Sequence, residues 1–309
     1  MRKYIFACLY LFLAGASSKA CLNDLEYEDF AYTYTKGDYG PLLKVDSFNQ
    51  ANLFNLLHQL EQSKDSMSLQ VRNNLATTYM RLADPQTAKE ILLKAQQDFP
   101  GNYSITANLG TAYELLGKLD SALLWINRAV VINPQSHEGS EWIHVMILRY
   151  KIAKEKNPQY LAGGTALMLD FGDKDLPGNP YGLDTRKLQK ELAFQLQERL
   201  SLIPSPDTLM GMLLYDFANL AILNNKGFQA LWYFQAAKDY GFSNAVLEAR
   251  ESRLKEILEA DPSANIGAFE ANEIEAKSSG MPVYLIAAII AILAVFGVWM
   301  LLRKGKNNR

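Results

Sequence analysis

Leu75, Tyr79, Ala88, Ala95 and Pro100 recur as Leu109, Tyr113, Ala122, Ala129 and Pro134, each pair 34 positions apart. A repeat of this length constrains the architecture more than any local propensity. Each unit is one supersecondary element that buries its apolar face only against its neighbour. Leu and Tyr four apart share one face of a first helix, and alanines seven apart share one face of a second. Small alanines let the two helices approach closely, and the proline closes the unit before the next helix begins. The spacing predicts stacked antiparallel helix pairs, with clear units at 69–102 and 103–136.

At these positions the sequence resembles the tetratricopeptide repeat (TPR) family. The second copy is nearly complete, with Leu109-Gly110, Tyr113, Gly117, Ala122, Ala129 and Pro134. The resemblance implies an all-α fold: a TPR-type helical-hairpin solenoid whose inner face is lined by the first helix of each unit and takes up a protein or peptide. In the two clear units that face is expected to include Asn73, Asn74, Thr77, Arg81, Asn108, Thr111 and Glu114, the candidate peptide-binding residues. Asn74 and Asn108 share one place in successive repeats, suited to hydrogen-bonding a peptide backbone. The plainer alternative is a polar helix face in water. In chaperone-binding members of the family, Lys and Arg beside such asparagines clamp a C-terminal carboxylate. Here the clamp positions hold Asn73, Thr77, Glu138 and Trp142, so no such clamp is expected.

The repeat then decays. A further step of 34 lands on Ile143, His144 and Ile147 in a helix running to about Lys156, but Lys156 and Gly163 replace the two alanines. The pattern returns, displaced by about six residues, at Phe217-Ala218, Ala221, Ala230 and Ala237. The stretch Gly163–Gly182, dense in Gly, Pro and Asp, is the expected site of insertion. Gln229-Ala230-Leu231-Trp232-Tyr233 with Ala236-Ala237 and Gly241 resembles a Sel1-type unit, a relative of the same hairpin, near 225–242. Trp232, Tyr233 and Phe234 are expected in the core rather than at a ligand. Ser47–Gln62 reads as an amphipathic capping helix and Thr185–Leu202 as another helix. The resulting map has an unassigned segment at 21–46, TPR-like repeats over 47–162, an inserted loop at 163–184, degenerate TPR/Sel1-like repeats over 185–262 and a polar linker at 263–281. The run Asn108–Trp142 also resembles bacterial envelope repeat proteins with no assigned activity.

The ends set the expected compartment. Residues 1–20, MRKYIFACLYLFLAGASSKA, combine a basic start, a short apolar run and small residues before two cleavage points, the anatomy of a secretory signal peptide. Cys21 follows directly, but Ser18 stands where a bacterial lipoprotein signal carries Leu. With Cys8 inside the signal, Cys21 has no partner for an intramolecular disulfide. Residues 283–302 lack any charge, and twenty helical residues span about 30 Å, the thickness of a bilayer core. The helix expected at 282–302 precedes a basic tail, 303–309, which predicts a cytoplasmic C-terminus. The expected protein is a single-pass membrane protein with its body outside the cytoplasm, most simply in a bacterial periplasm.

Charge and motifs narrow the function. The 31 basic and 33 acidic residues give a net charge of −2. Basic residues crowd the acid-free ends (Arg2, Lys3, Lys19; Arg303, Lys304, Lys306, Arg309), leaving an acidic body poorly suited to nucleic acid. HExxH, GxSxG and GxxxxGK[ST] motifs are absent from the sequence. His137, Glu141 and His144, at i, i+4 and i+7, are expected on one helix face; as a zinc site they form an incomplete set. The leading expectation is a membrane-anchored extracytoplasmic TPR scaffold with no catalytic residues, no cofactor and no small-molecule substrate. It binds a protein or peptide partner and contacts the bilayer through its C-terminal helix. An assembly factor for an envelope secretion or polymer machine is the variant of this reading. A metal-dependent hydrolase built on His137, Glu141 and His144 is the rival.

Overall fold

The computed structural model describes residues 50–62, 68–160 and 164–266. The expected signal peptide, the segment 21–46, the membrane span and the basic tail lie outside the described residues. Among the described residues no helix is long and apolar enough to cross a membrane.

Ten α-helices and no strand appear among the described residues: α1 (Gln50–Gln62), α2 (Leu69–Arg81), α3 (Pro85–Asp98), α4 (Tyr103–Leu115), α5 (Leu119–Ile132), α6 (Glu141–Lys156), α7 (Thr185–Leu200), α8 (Thr208–Leu223), α9 (Gly227–Asp239) and α10 (Ala245–Ala260). Side chains set several starts by accepting an otherwise unpaired backbone N–H. Ser68, Asp84 and Asn102 cap α2, α3 and α4 through Val71, Thr87 and Ile105. Asp184, Asp207 and Asn244 do the same for α7, α8 and α10.

The repeat shows in the packing. Helices α2 and α3, α4 and α5, and α8 and α9 pair as hairpins, while α3 packs on α4 and α5 on α6. The alanines Ala88, Ala95, Ala122 and Ala129 are all fully buried. At Gly110 a Cβ would fall 2.5 Å from Ile126 Cδ1, so this position lets α4 and α5 come together. The turns repeat as well. Ala83, Gly117 and Asn225 end α2, α4 and α8 in the left-handed region at φ 61°, 69° and 61°. In each turn that residue's N–H donates to the carbonyl three back, and the next N–H donates to the carbonyl five back. These are the C-terminal caps that Gly serves best.

The array departs from a regular solenoid after α6. Among the described residues no helix lies between α6 and α7, and 157–160 and 164–184 run irregularly. The stretch expected as an inserted loop is packed down, with Ala166, Leu167 and Phe171 buried in the main core alongside α6, α7 and α8. Arg250 of α10, fully buried, fastens it. Its guanidinium donates to the carbonyls of Phe171, Gly172 and Lys174, to Tyr215 Oη and to Asn219 Oδ1. The start of the expected polar linker is also folded, since Ile266 is buried against α9 and α10. Tyr233 and Phe234 lie in the core as expected, but Trp232 is 55% exposed, because it sits on the opposite side of α9 from them.

Candidate functional site

The inner face of the repeats is built from α2, α4 and α6, and it is largely occupied. Of the seven candidate residues, Asn73, Thr77, Asn108 and Glu114 are buried, while Asn74, Arg81 and Thr111 are half-buried. Four of the seven are thus shielded from solvent within the fold. Asn108 Nδ2 donates to Asn73 Oδ1 at 2.8 Å, tying one repeat to the next. Thr77 Oγ1 donates to the Asn74 carbonyl. Asn74 Oδ1 accepts from the exposed Gln70.

Glu114 is the centre of the closed part. Its carboxylate accepts from Arg199 Nη1 at 2.9 Å and Nη2 at 3.2 Å, and from Lys151 Nζ at 2.6 Å. His144 Nε2 lies 2.6 Å from its other face. Burial works against the charge, but Arg199, Lys151 and the His144 hydrogen bond override it and hold the carboxyl well below the usual range. Arg199 belongs to α7, so a later helix of the same chain reaches onto the face expected to receive a ligand. A small pocket lined by Thr111, Glu114, His144, Arg199 and Leu202 remains at the contact. Leu202, partly buried, packs against the apolar cluster of the first two repeats, which includes Ala76, Met80 and Leu109.

The same helix covers the third unit. Trp142 Nε1 donates to Glu191 Oε2 at 3.0 Å, and Gln195 Nε2 donates to Ser140 Oγ at 3.2 Å. Lys190 pairs with Glu138 at 2.7 Å. Glu138 and Trp142, two of the positions that the resemblance would assign to a carboxylate clamp, are therefore engaged by α7.

His137 was expected on the same helix as Glu141 and His144. It lies instead in a short turn, Ser136–Gly139, before that helix begins. His137, Glu138 and Gly139 all have positive φ (54°, 58° and 80°). The turn swings the His137 ring inward, where it stacks on Phe194 of α7 with centroids 4.7 Å apart. Its Nδ1 lies 2.7 Å from Glu141 Oε1 and its Nε2 3.5 Å from Glu198 Oε1. Tyr103 Oη donates to Glu141 Oε1 at 2.5 Å.

The three expected residues thus do meet, as part of an internal network. His144 Nδ1 is 3.8 Å from Glu141 Oε2. Despite its burial, Glu141 is lowered to about 2 by His137, His144 and Tyr103, whereas burial raises Glu198. Among the described residues no group of three His, Cys, Asp or Glu side chains has the geometry to hold a metal ion. The rival hydrolase reading gains no metal centre from this arrangement. What the network does is join α4, the 136–139 turn, α6 and α7 into one polar core.

Sequence reasoning missed α7's place on the inner face. Its contacts with α4 bridge 85 positions, and no local pattern announces them. A comparison with family models matches residues 69–97 to the tetratricopeptide repeat, which here are α2 and nearly all of α3. A comparison with curated proteins finds no match.

Proposed function

We propose, starting from a tetratricopeptide repeat at the head of a stacked helical array, that this chain is a scaffold holding a protein partner on the extracytoplasmic side of a membrane. Repeats of this kind bind proteins, and the all-helical body suits that role. One observation gives the reading its shape: the inner face is divided. Its Glu114 end is filled by α7 and Leu202, while Gln70, Asn74 and Arg81 along α2 keep solvent access. The partner segment takes this α2 edge, with Asn74 and Gln70 offering side-chain amides to an extended backbone. The apolar run at 283–302 tethers the body to the bilayer, and α9, which lies within the stretch near 225–242 that resembles a Sel1-type unit, pairs with α8 to extend the array.

Affinity capture of the full-length protein from detergent-solubilised membranes tests this. The wild type retains a stoichiometric partner, Asn74→Arg loses it, and Glu90→Arg on the exposed side of α3 keeps it. A partner retained equally by all three would refute the assignment of the α2 edge.

A further inference from the structure

One end of the body carries an exposed apolar cluster beside the point where the described chain stops. Phe228 and Trp232, one turn apart on α9, are each 55% exposed, and Tyr181 is 72% exposed. Leu183 is exposed as well. Further along the same stripe of α9 come Gln235 and Asp239, both exposed, so the aromatic character is confined to the helix's N-terminal half.

These residues share one pole of the molecule. Asn224, just before α9, exchanges hydrogen bonds with Thr185: Thr185 Oγ1 donates to Asn224 Oδ1 at 2.8 Å, and Asn224 Nδ2 donates to the Thr185 carbonyl at 3.1 Å. This ties the start of α7, with Leu183 two residues before it, to the start of α9. Asn179 in turn bonds Leu183 through both its amide and its carbonyl, which places Tyr181 in the same turn. Two cations stand here also. Arg186 follows Thr185, and Lys226 lies two residues after Asn224, so the hydrogen bonds between Thr185 and Asn224 bring both cations to this pole. Burial, and then the Arg186 charge, lower the Lys226 ammonium. Ile266 ends the described chain at the same pole: a Cβ on Gly227 would fall 2.6 Å from its Cδ1.

The apolar run begins at Val283. Residues 267–282 reach at most roughly 55 Å even when fully extended. The described chain thus leaves the body at the pole bearing Trp232, within that reach of whatever the run is embedded in. Aromatic rings with a polar edge, set beside Lys and Arg, have the chemistry that settles at the boundary between lipid headgroups and acyl chains.

We infer that this pole rests on the extracytoplasmic surface of the bilayer, with Trp232, Phe228, Tyr181 and Leu183 at headgroup depth and Arg186 and Lys226 facing lipid phosphates. The inference rests on reading 283–302 as the membrane span. Docking fixes the orientation of the body, so that the repeats stand away from the membrane.

The test uses the full-length chain in phosphatidylcholine/phosphatidylglycerol vesicles, with and without lipid brominated high on the acyl chain. Tryptophan emission is compared for the wild type, Trp232→Phe and Trp299→Phe. Bromolipid quenches a share of emission that is lost in Trp232→Phe and a second share that is lost in Trp299→Phe. If Trp299 contributes quenched emission and Trp232 does not, the pole stands clear of the lipid and the inference is wrong while the span survives. If Trp299 contributes none either, the span itself fails and the inference falls with it.

Discussion

Arg199 and Glu114 stand 85 positions apart and meet in a two-point ion pair on the inner face of the repeats. Both side chains are buried, so the pair is desolvated, and each charge depends on the other. Arg199→Met leaves Glu114 with Lys151 and His144 alone and is expected to cost about 3 kcal/mol of unfolding free energy. Adding Glu114→Gln removes the orphaned charge. Urea unfolding of the four proteins in a double-mutant cycle gives a double variant less destabilised than the sum, by about 1 kcal/mol or more. Simple additivity would mean that α7 does not engage the inner face through this pair.

The carboxyls divide into two groups with opposite effects on pH dependence. Glu141, ordinarily near 4.5, is lowered to about 2 in the fold. Its stabilising contribution is therefore present above the ordinary carboxylate range and is lost as pH falls from there toward 2. Asp216, fully buried on α8, is raised well above its ordinary value by burial, with only the Leu167 amide favouring its charge. Stability falls as pH rises past the ordinary range, by about 1.4 kcal/mol per pH unit while the group stays neutral in the fold. Stability–pH profiles check both signs: Glu141→Gln flattens the acid limb, and Asp216→Asn removes its share of the loss at higher pH.

Ala83 holds the left-handed position that Gly117 holds one repeat later. A Cβ there costs about 1–2 kcal/mol, partly offset by the greater unfolded-state freedom of glycine. Ala83→Gly is expected to stabilise the protein by about 0.5–1 kcal/mol. Asn225→Gly gains less, since Asn tolerates this conformation. Thermal or urea unfolding measures both.

Arg250 is the clasp on the segment between α6 and α7. Lysine keeps the charge but not the planar fork that reaches three carbonyls at once. Arg250→Lys is expected to cost about 2–3 kcal/mol. It also speeds amide exchange at Gly178, whose N–H donates to the Phe171 carbonyl. Hydrogen exchange read at that amide separates a local release of the segment from general loosening.

The helices of the first two repeats were legible because their signal is local: Leu75 and Tyr79, or Ala88 and Ala95, fall at helical spacings within one element. The positions of the turns were implicit too, since Ala83 and Gly117 are themselves 34 apart. What escaped was long-range. Nothing near Asn108 says that Asn73 will face it, and nothing near Glu114 says that Arg199 will arrive from a helix two elements further on than α5. The i, i+4, i+7 spacing does not put His137 on the helix face of Glu141 and His144, because a left-handed turn at 137–139 separates them and helical periodicity does not apply there. The 163–184 segment looked like a loop from its Gly and Pro content, yet Leu167 and Phe171 gave it enough apolar surface to join the core.

The central claim is that the inner face is divided between the chain's own α7 and an outside partner. Site-specific photocrosslinking in intact cells tests it most directly, with the probe placed in turn at Asn74, Thr111 and Glu90. The account predicts an intermolecular adduct from position 74, an intramolecular adduct to residues 199–203 from position 111, and none from position 90. An outside partner captured from position 111 as strongly as from position 74, or from position 90 alone, would contradict it.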